Sequence, residues 1–322
     1  MVLKDTTISL MNSLGSQRIP FLFIISYDGK DCIIQPLKDI DQEEIKYNFN
    51  GISNTQPKEH ISDLKIEATP LSFKQYQEKF DIVKQELQLG NTYLINLTVA
   101  TPISSEYTLE DVYHTAKAKY KLLVKDQFTC FSPEIFVQIK DNAIYSYPMK
   151  GTIKADIPNA AEILLNNQKE TAEHYTIVDL IRNDLNIVSK KVRVNRFRYL
   201  DRLETSKGPI LQMSSEIAGE LSPNWHHGIG TIFSKLLPAG SITGSPKEST
   251  VNIIAKAEQY DRNYYTGVCG IYDGESVDSA VMIRFIEQQS NQLVYKSGGG
   301  ITSSSEVEKE YEELLQKIYI PS

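Results

Sequence analysis

The chain has 322 residues, 41% of them hydrophobic and 23% charged, a balance that supports a packed core and excludes global disorder. With 34 basic against 41 acidic residues its formal net charge is −7, which excludes a broad basic surface for nucleic acid and requires that any anionic ligand be met by locally concentrated positive charge. Cys32, Cys130 and Cys269 form no CxxC and no paired Cys/His spacing, which excludes a disulfide scaffold or zinc site and points to a reducing compartment.

Near the start, the apolar run Ile19 to Tyr27 is too short to span a membrane and is broken by Ser26, so the chain reads as soluble and cytoplasmic, with no membrane partner. Phe21–Tyr27 and Cys32–Pro36 flank Asp28-Gly29, the composition of a tight hairpin. The polar stretch Gly51–Thr69 is the expected internal break. It sets off residues 1–68 as a short lobe packed on a catalytic core of residues 69–322, effectively one domain. Ser72 with Gln75 has the pattern of a capping box ahead of a helix to about Leu89. Residues 90–98 read as a strand. Ile135–Ile139 and Ala143–Tyr147 flank Asp141-Asn142 as a second hairpin. Lys169–Leu185 is helical by period. Val268–Tyr272 and Val277–Glu287 flank Asp273-Gly274 as a third hairpin, Gln292–Lys296 is a strand ending at Gly298-Gly299-Gly300, and Glu306–Ile318 closes the chain as a helix. Strands that come as hairpins between helices, without regular βαβ alternation, predict an α+β fold with antiparallel sheets.

On the helix from Lys169, Glu170 lies within about 20° of Ile177 and Ile181, and Glu173 falls close to Ile177 and Leu180. Carboxylates that continue an apolar stripe are costly to bury unless a cation balances them. Asn167 is placed to cap this helix, with Glu170 favoured in its first turn, so helix capping also accounts for Glu170. A second pair, Glu310 and Glu313, recurs at the same spacing. Glu310 borders the apolar stripe of the last helix and Glu313 lies away from it, the ordinary pattern of a solvated face. Two such pairs supply the oxygen donors that a hard cation such as Mg²⁺ takes.

From Ser72 to Lys317 the chain resembles the chorismate-utilising family, which includes anthranilate, aminodeoxychorismate, isochorismate and salicylate synthases. The resemblance is carried by Ser132-Pro133-Glu134, by Pro148-Met149-Lys150-Gly151-Thr152, and by Lys169 to Leu185 with its Val-Asp-Leu-Ile-Arg-Asn-Asp segment. It continues through Pro238 to Lys247 (PAGSITGSPK), Tyr265-Thr266-Gly267, Met282-Ile283-Arg284, and the glycine triplet followed by Glu310-Tyr311-Glu312-Glu313. It implies two antiparallel sheets packed together with helices outside. It further implies Mg²⁺ on Glu173 and Glu313 with Glu310 behind them, and Glu170 as general acid for the departing ring hydroxyl. Thr243, Tyr265, Arg284, Gly298 and Gly300 are implied as substrate contacts.

Within the family, the lysine base of the water-using members falls on Leu94, and a leucine cannot deprotonate water. Amine-using members usually carry glutamine there, so Leu94 departs from both patterns. Lys150 stands where aminodeoxychorismate synthases show lysine and anthranilate synthases alanine, and Gln212 replaces an anthranilate-synthase histidine. The resemblance therefore implies component I of an aminodeoxychorismate synthase, which converts chorismate and ammonia to 4-amino-4-deoxychorismate. Lys150 would be its covalent nucleophile, with a pKa lowered by burial or a nearby cation. The chain shows neither a glutaminase nucleophile elbow nor the Leu-Leu-Glu-Ser tryptophan motif. Ammonia is expected from a separate glutamine amidotransferase subunit, and no tryptophan inhibition is expected. An anthranilate synthase component remains an alternative, as does a silent chorismate-binding subunit, although the latter would have lost a metal glutamate or Arg284 and neither is missing.

Overall fold

In the computed structural model, residues 3–56, 58, 61, 64–203 and 208–321 are described. They form two nine-stranded sheets, antiparallel throughout, with helices on their outer faces, the α+β arrangement expected. The first sheet runs Met149–Lys154, Ile210–Glu220, Ala143–Ser146, Ile135–Lys140, Val277–Val281, Val268–Tyr272, Phe21–Ile25, Cys32–Pro36, with Lys190–Leu203 also paired to Ile210–Glu220. The second runs Gly244–Ser245, Leu94–Ser104, Gln292–Ile301, Phe285–Gln289, Phe128–Ser132, Tyr120–Val124, Ile45–Phe49, Ile52–Ser53, with Glu67–Ala68 beside Leu94–Ser104.

All five residues of Phe21–Ile25 are buried, which explains an unbroken apolar run where a half-exposed strand would alternate. Phe21, Phe23 and Ile25 face a core shared with the helices. Leu22 and Ile24 face the core between the sheets, with Ile45, Tyr47, Leu122 and Phe128. Strands from residues 1–68 thus enter both sheets: Phe21–Ile25 pairs with Val268–Tyr272, and Ile45–Phe49 with Tyr120–Val124.

The expected hairpins form at Asp28-Gly29, Asp141-Asn142 and Asp273-Gly274. Asp141 and Asn142 both take positive φ, 51° and 57°, as a two-residue turn of this hand requires. The helix Phe73–Gln88 starts on a true capping box, in which Ser72 Oγ accepts from Gln75 N–H and Gln75 Oε1 accepts from Ser72 N–H. Two expectations are corrected. The strand Val277–Glu287 is not continuous: it stops at Val281, and Arg284, at φ 54°, turns the chain into the second sheet. The glycine triplet does not end its strand but lies inside Gln292–Ile301, paired with Asn96, Leu97 and Thr98.

Two of the chain's passages between the sheets adjoin, at 133–134 and 282–284. The crossings are tied by Phe131 N–H to Arg284 O (3.0 Å) and Val281 N–H to Glu134 O (3.1 Å). Nearby, Arg262 and Glu258 form a buried ion pair, with Nη2–Oε1 at 2.6 Å and Nε–Oε2 at 2.8 Å. Arg262 also donates to Ile242 O and Asn96 O, and Glu258 accepts from Thr98 N–H, so one pair fastens helix, turn and strand. Arg262→Ala leaves a buried carboxylate uncompensated and is expected to cost about 3–5 kcal/mol. Urea unfolding measures this; a loss within about 1 kcal/mol contradicts the role.

Candidate active site

A cavity of about 280 Å³ lies where the two crossings meet. The Gln168–Val188 helix brings Glu173, the Met149–Lys154 strand Lys150, the crossings Glu134 and Arg284, the loop before Val268 Tyr265, and the Gln292–Ile301 strand its glycines. Lys150, Arg284, Lys296 and Lys317 all line it, the local concentration of positive charge that an acidic chain needs for an anionic ligand.

Lys150 is aimed by a β-bulge. Met149 pairs with Ser214 and Thr152 with Gln212, so Lys150 and Gly151 together oppose Met213 alone. Gly151 takes φ 86°, a backbone conformation that favours glycine, and a Cβ there would crowd Glu170 Oε2 at 3.0 Å and Leu164 Cδ1 at 3.2 Å. Lys150 Nζ sits 2.9 Å from Glu173 Oε2. Burial pulls the Lys150 pKa down, but Glu173, Glu313 and Glu170 together outweigh it and the net direction is up. The expectation of a lowered pKa is therefore corrected: the amine is held as an ammonium by the carboxylates around it.

All four glutamates interact electrostatically with Lys150. Glu170 is half-buried, and desolvation with Glu173 beside it pushes its carboxyl up, the direction a general acid needs. Asn167 also caps the helix by accepting from Glu170 N–H, as the capping reading expects, and Glu170 lies outside the cavity lining. Glu310 is buried and pushed up by desolvation. Burial acts the same way on Glu313, but Lys317 Nζ at 2.7 Å overrides it and leaves Glu313 below the ordinary carboxylate range. Lys169 lies 3.8 Å from Glu173 and 4.0 Å from Glu310. Among the described residues no three acidic, His or Cys groups close on one point. Mg²⁺ needs only one or two protein carboxylates beside water and substrate, and these oxygens already gather three ammonium groups, so the donor set fits a hard cation.

Arg284 and Tyr265 both line the cavity; Arg284 stacks over Tyr319 (5.5 Å to the ring centroid) in a backbone conformation uncommon outside glycine. Gly298 and Gly300 line it too. For Gly298 the nearest constraint is the neighbouring strand, since a Cβ would lie 2.5 Å from Leu97 O. At Gly300 a Cβ would lie 3.4 Å from Leu94 Cδ1 and 3.8 Å from Lys150 Nζ, so leucine and lysine meet over this glycine. Thr243 is fully buried beside Tyr27 and outside the lining, which Ser241 reaches instead.

Three lining residues were not read as site residues from the sequence, although Glu134 stands in the Ser132-Pro133-Glu134 block. Glu134 is pushed up by burial and accepts from Ser241 Oγ (2.6 Å). Lys296 is fully buried against Glu287 (2.7 Å). Lys317 donates to Gly298 O as well as pairing with Glu313, and its i+4 spacing from Glu313 was the one available hint. Asp184, near the end of the Gln168–Val188 helix, and Lys247, the first residue of the Lys247–Glu258 helix, pair with each other at 2.8 Å.

Residues 25–321 match the chorismate binding enzyme family. The chain belongs to that family. An uncharacterized PabA-like protein of Pasteurella multocida is 52% identical over 312 residues, covering 96% of each chain. Aminodeoxychorismate synthase component 1 of Bacillus subtilis is 29% identical over 267 residues, covering 78% of this chain and 56% of that protein. Among solved structures, a 2,3-dihydroxybenzoate-specific isochorismate synthase of Bacillus anthracis superposes with a TM-score of 0.73 at 21% identity, over 97% of this chain and 87% of the other, a likeness of fold. Of the residues that the resemblance singles out, Lys150, Glu173, Tyr265, Arg284, Gly298 and Gly300 line the cavity, and Glu170, Thr243, Glu310 and Glu313 lie outside its lining. No described helix is long and apolar enough to cross a membrane.

Proposed function

We propose that this chain is component I of an aminodeoxychorismate synthase, converting chorismate and ammonia to 4-amino-4-deoxychorismate. One observation carries the proposal: the bulge at Lys150 presents a lysine to the cavity among Glu170, Glu173 and Glu313, while the position of the water-activating lysine is held by Leu94. Arg284 and Tyr265 orient the enolpyruvyl carboxylate, the guanidinium offering a planar fork to that anion. Glu173 and Glu313, with Glu310 behind them, would hold Mg²⁺, which when bound supplies charge neutralisation for the ring carboxylate. Lys150 Nζ forms a bond to the ring while the C–O bond to the ring hydroxyl breaks, and Glu170 gives its proton to the leaving water. Ammonia then bonds to the vacated carbon, the C–Nζ bond breaks, and a proton from the incoming nitrogen returns to Lys150. Nucleophilic use of Lys150 requires that its pairing with Glu173 be relaxed and that its ammonium release one proton to water first, leaving the neutral amine that attacks. The proposal places the reaction in the cytoplasm, in keeping with the buried free thiols of Cys130 and Cys269.

Ammonia would come from a separate glutamine amidotransferase subunit. With chorismate and Mg²⁺, ammonium is expected to support turnover and glutamine alone is not, until a cognate glutaminase subunit is added. Mass spectrometry of the product is the test. Anthranilate or isochorismate as product rejects the proposal, and efficient use of glutamine by the isolated chain rejects the separate subunit.

A further inference from the structure

Lys296 lines the cavity, yet its ammonium is fully engaged by protein. The side chain is buried, and each of its three donors has an acceptor: Glu287 Oε2 at 2.7 Å, Arg262 O at 3.0 Å and Asp261 O at 3.3 Å. Glu287 is equally committed. Its Oε2 also accepts from Gln289 Nε2 (2.6 Å), and its Oε1 accepts from Asn263 Nδ2 (3.1 Å). From two paired strands, Phe285–Gln289 and Gln292–Ile301, this ion pair therefore holds the segment 261–263 by two carbonyls and one side-chain amide.

That segment opens the turn that carries Tyr265. The Arg262 carbonyl accepts twice, from Lys296 Nζ and from Tyr265 N–H, both at 3.0 Å, so lysine and tyrosine are fixed to one oxygen. Past the turn, Thr266 N–H donates to Met282 O (2.8 Å), in the crossing that delivers Arg284. The Tyr265 ring lies against Phe285, 5.8 Å between centroids, and Phe285 is directly opposite Lys296 in the ladder. Tyr265 lines the cavity, and among the described residues its hydroxyl has no hydrogen-bond partner, which leaves it for a ligand. A buried ion pair adds little net stability, because desolvation offsets the attraction; what this one supplies is a fixed geometry for the turn.

We infer that Lys296 and Glu287 are positioning residues for substrate recognition: by locking the 261–265 turn they set the Tyr265 hydroxyl beside Arg284, where the two share one ligand carboxylate. The inference rests on the proposed reading of Tyr265 as a contact of the enolpyruvyl carboxylate.

Calorimetric titration of the full chain with chorismate, in chelator so that no turnover is expected, tests this through the Kd. Lys296→Met combined with Glu287→Gln leaves no buried charge unpaired and keeps an acceptor for Asn263. This paired variant should weaken binding about 10-fold, and so should Tyr265→Phe alone, each the scale of one hydrogen bond to a charged group. All three substitutions together should again give about 10-fold, because the pair acts through a hydroxyl that is already gone. A role independent of Tyr265 would multiply the losses to about 100-fold. That result, or unchanged binding in the paired variant, overturns the inference. Should the paired variant not fold, Asn263→Gly takes its place, at an exposed position with φ 52° that glycine accepts. It should weaken binding about threefold, with no further loss on top of Tyr265→Phe; unchanged binding or multiplied losses overturn the inference. Wild-type affinity in Tyr265→Phe defeats the proposed reading of Tyr265 and the inference with it, whereas multiplied losses defeat the inference alone.

Discussion

Lys150→Ala is expected to lower formation of 4-amino-4-deoxychorismate from ammonia by at least about 1,000-fold, the scale of losing a covalent nucleophile. The expectation follows from product geometry. The amine ends on the carbon that lost the hydroxyl, whereas a single conjugate displacement places the nucleophile two ring positions away. Two displacements in succession restore the position, and the first needs an amine already in the cavity. Lys150 supplies one, delivered by the bulge and glycine at 151 and held 2.9 Å from Glu173. A purely electrostatic Lys150 would leave no covalent trace. Intact-mass measurement after incubation with chorismate and Mg²⁺ without ammonia separates the two. Wild type should carry an adduct of chorismate less one water, which Lys150→Ala lacks. Binding of chorismate through Arg284 should survive in the variant. Near wild-type formation of the 4-amino product by Lys150→Ala rejects covalent catalysis.

Glu173→Gln and Glu313→Gln are each expected to remove nearly all activity, at least about 100-fold, while the protein stays folded. Neither side chain is part of the packed core, and glutamine preserves shape while removing the charge a divalent cation binds. Of the two, Glu173→Gln also deprives Lys150 of its nearest counter-charge, whereas Glu313→Gln frees Lys317. Glu310→Gln should do less, since a buried carboxyl pushed up by desolvation is closer to neutral already. Exhaustive chelation should abolish turnover and added Mg²⁺ restore it. Full activity after chelation defeats the metal assignment for both glutamates.

The parts of this molecule governed by local rules could be read from the sequence. Three hairpins carry Asp-Gly or Asp-Asn at the turn, the helix Phe73–Gln88 is capped by Ser72 with Gln75, and the glutamate-bearing helix follows its apolar period. What escaped reading depends on distant chain. Arg284 bends the chain out of one sheet into the other with a positive φ that no residue pattern announces. The glycine triplet was taken for a strand end because glycine usually is one, yet Gly298 is fixed by the backbone of Leu97, 201 positions earlier in numbering (298 − 97). At Lys150 residue identity pointed to the site, but its protonation did not follow, because the three carboxylates that set it arrive from two separate helices.

The strand Phe21–Ile25 has a consequence for synthesis of the protein. It is complete early, and its local hairpin partner Cys32–Pro36 follows at once, but its other edge is closed only by Val268–Tyr272. That partner leaves the ribosome about 240 residues later, which at roughly 5–20 residues per second is a delay of some ten to fifty seconds. Throughout that interval a wholly apolar ribbon with one open hydrogen-bonding edge is presented to the cell, the feature that most invites wrong pairing between chains. Growth temperature, translation speed and holdase supply should therefore govern the yield of this protein more strongly than the stability of its finished fold does.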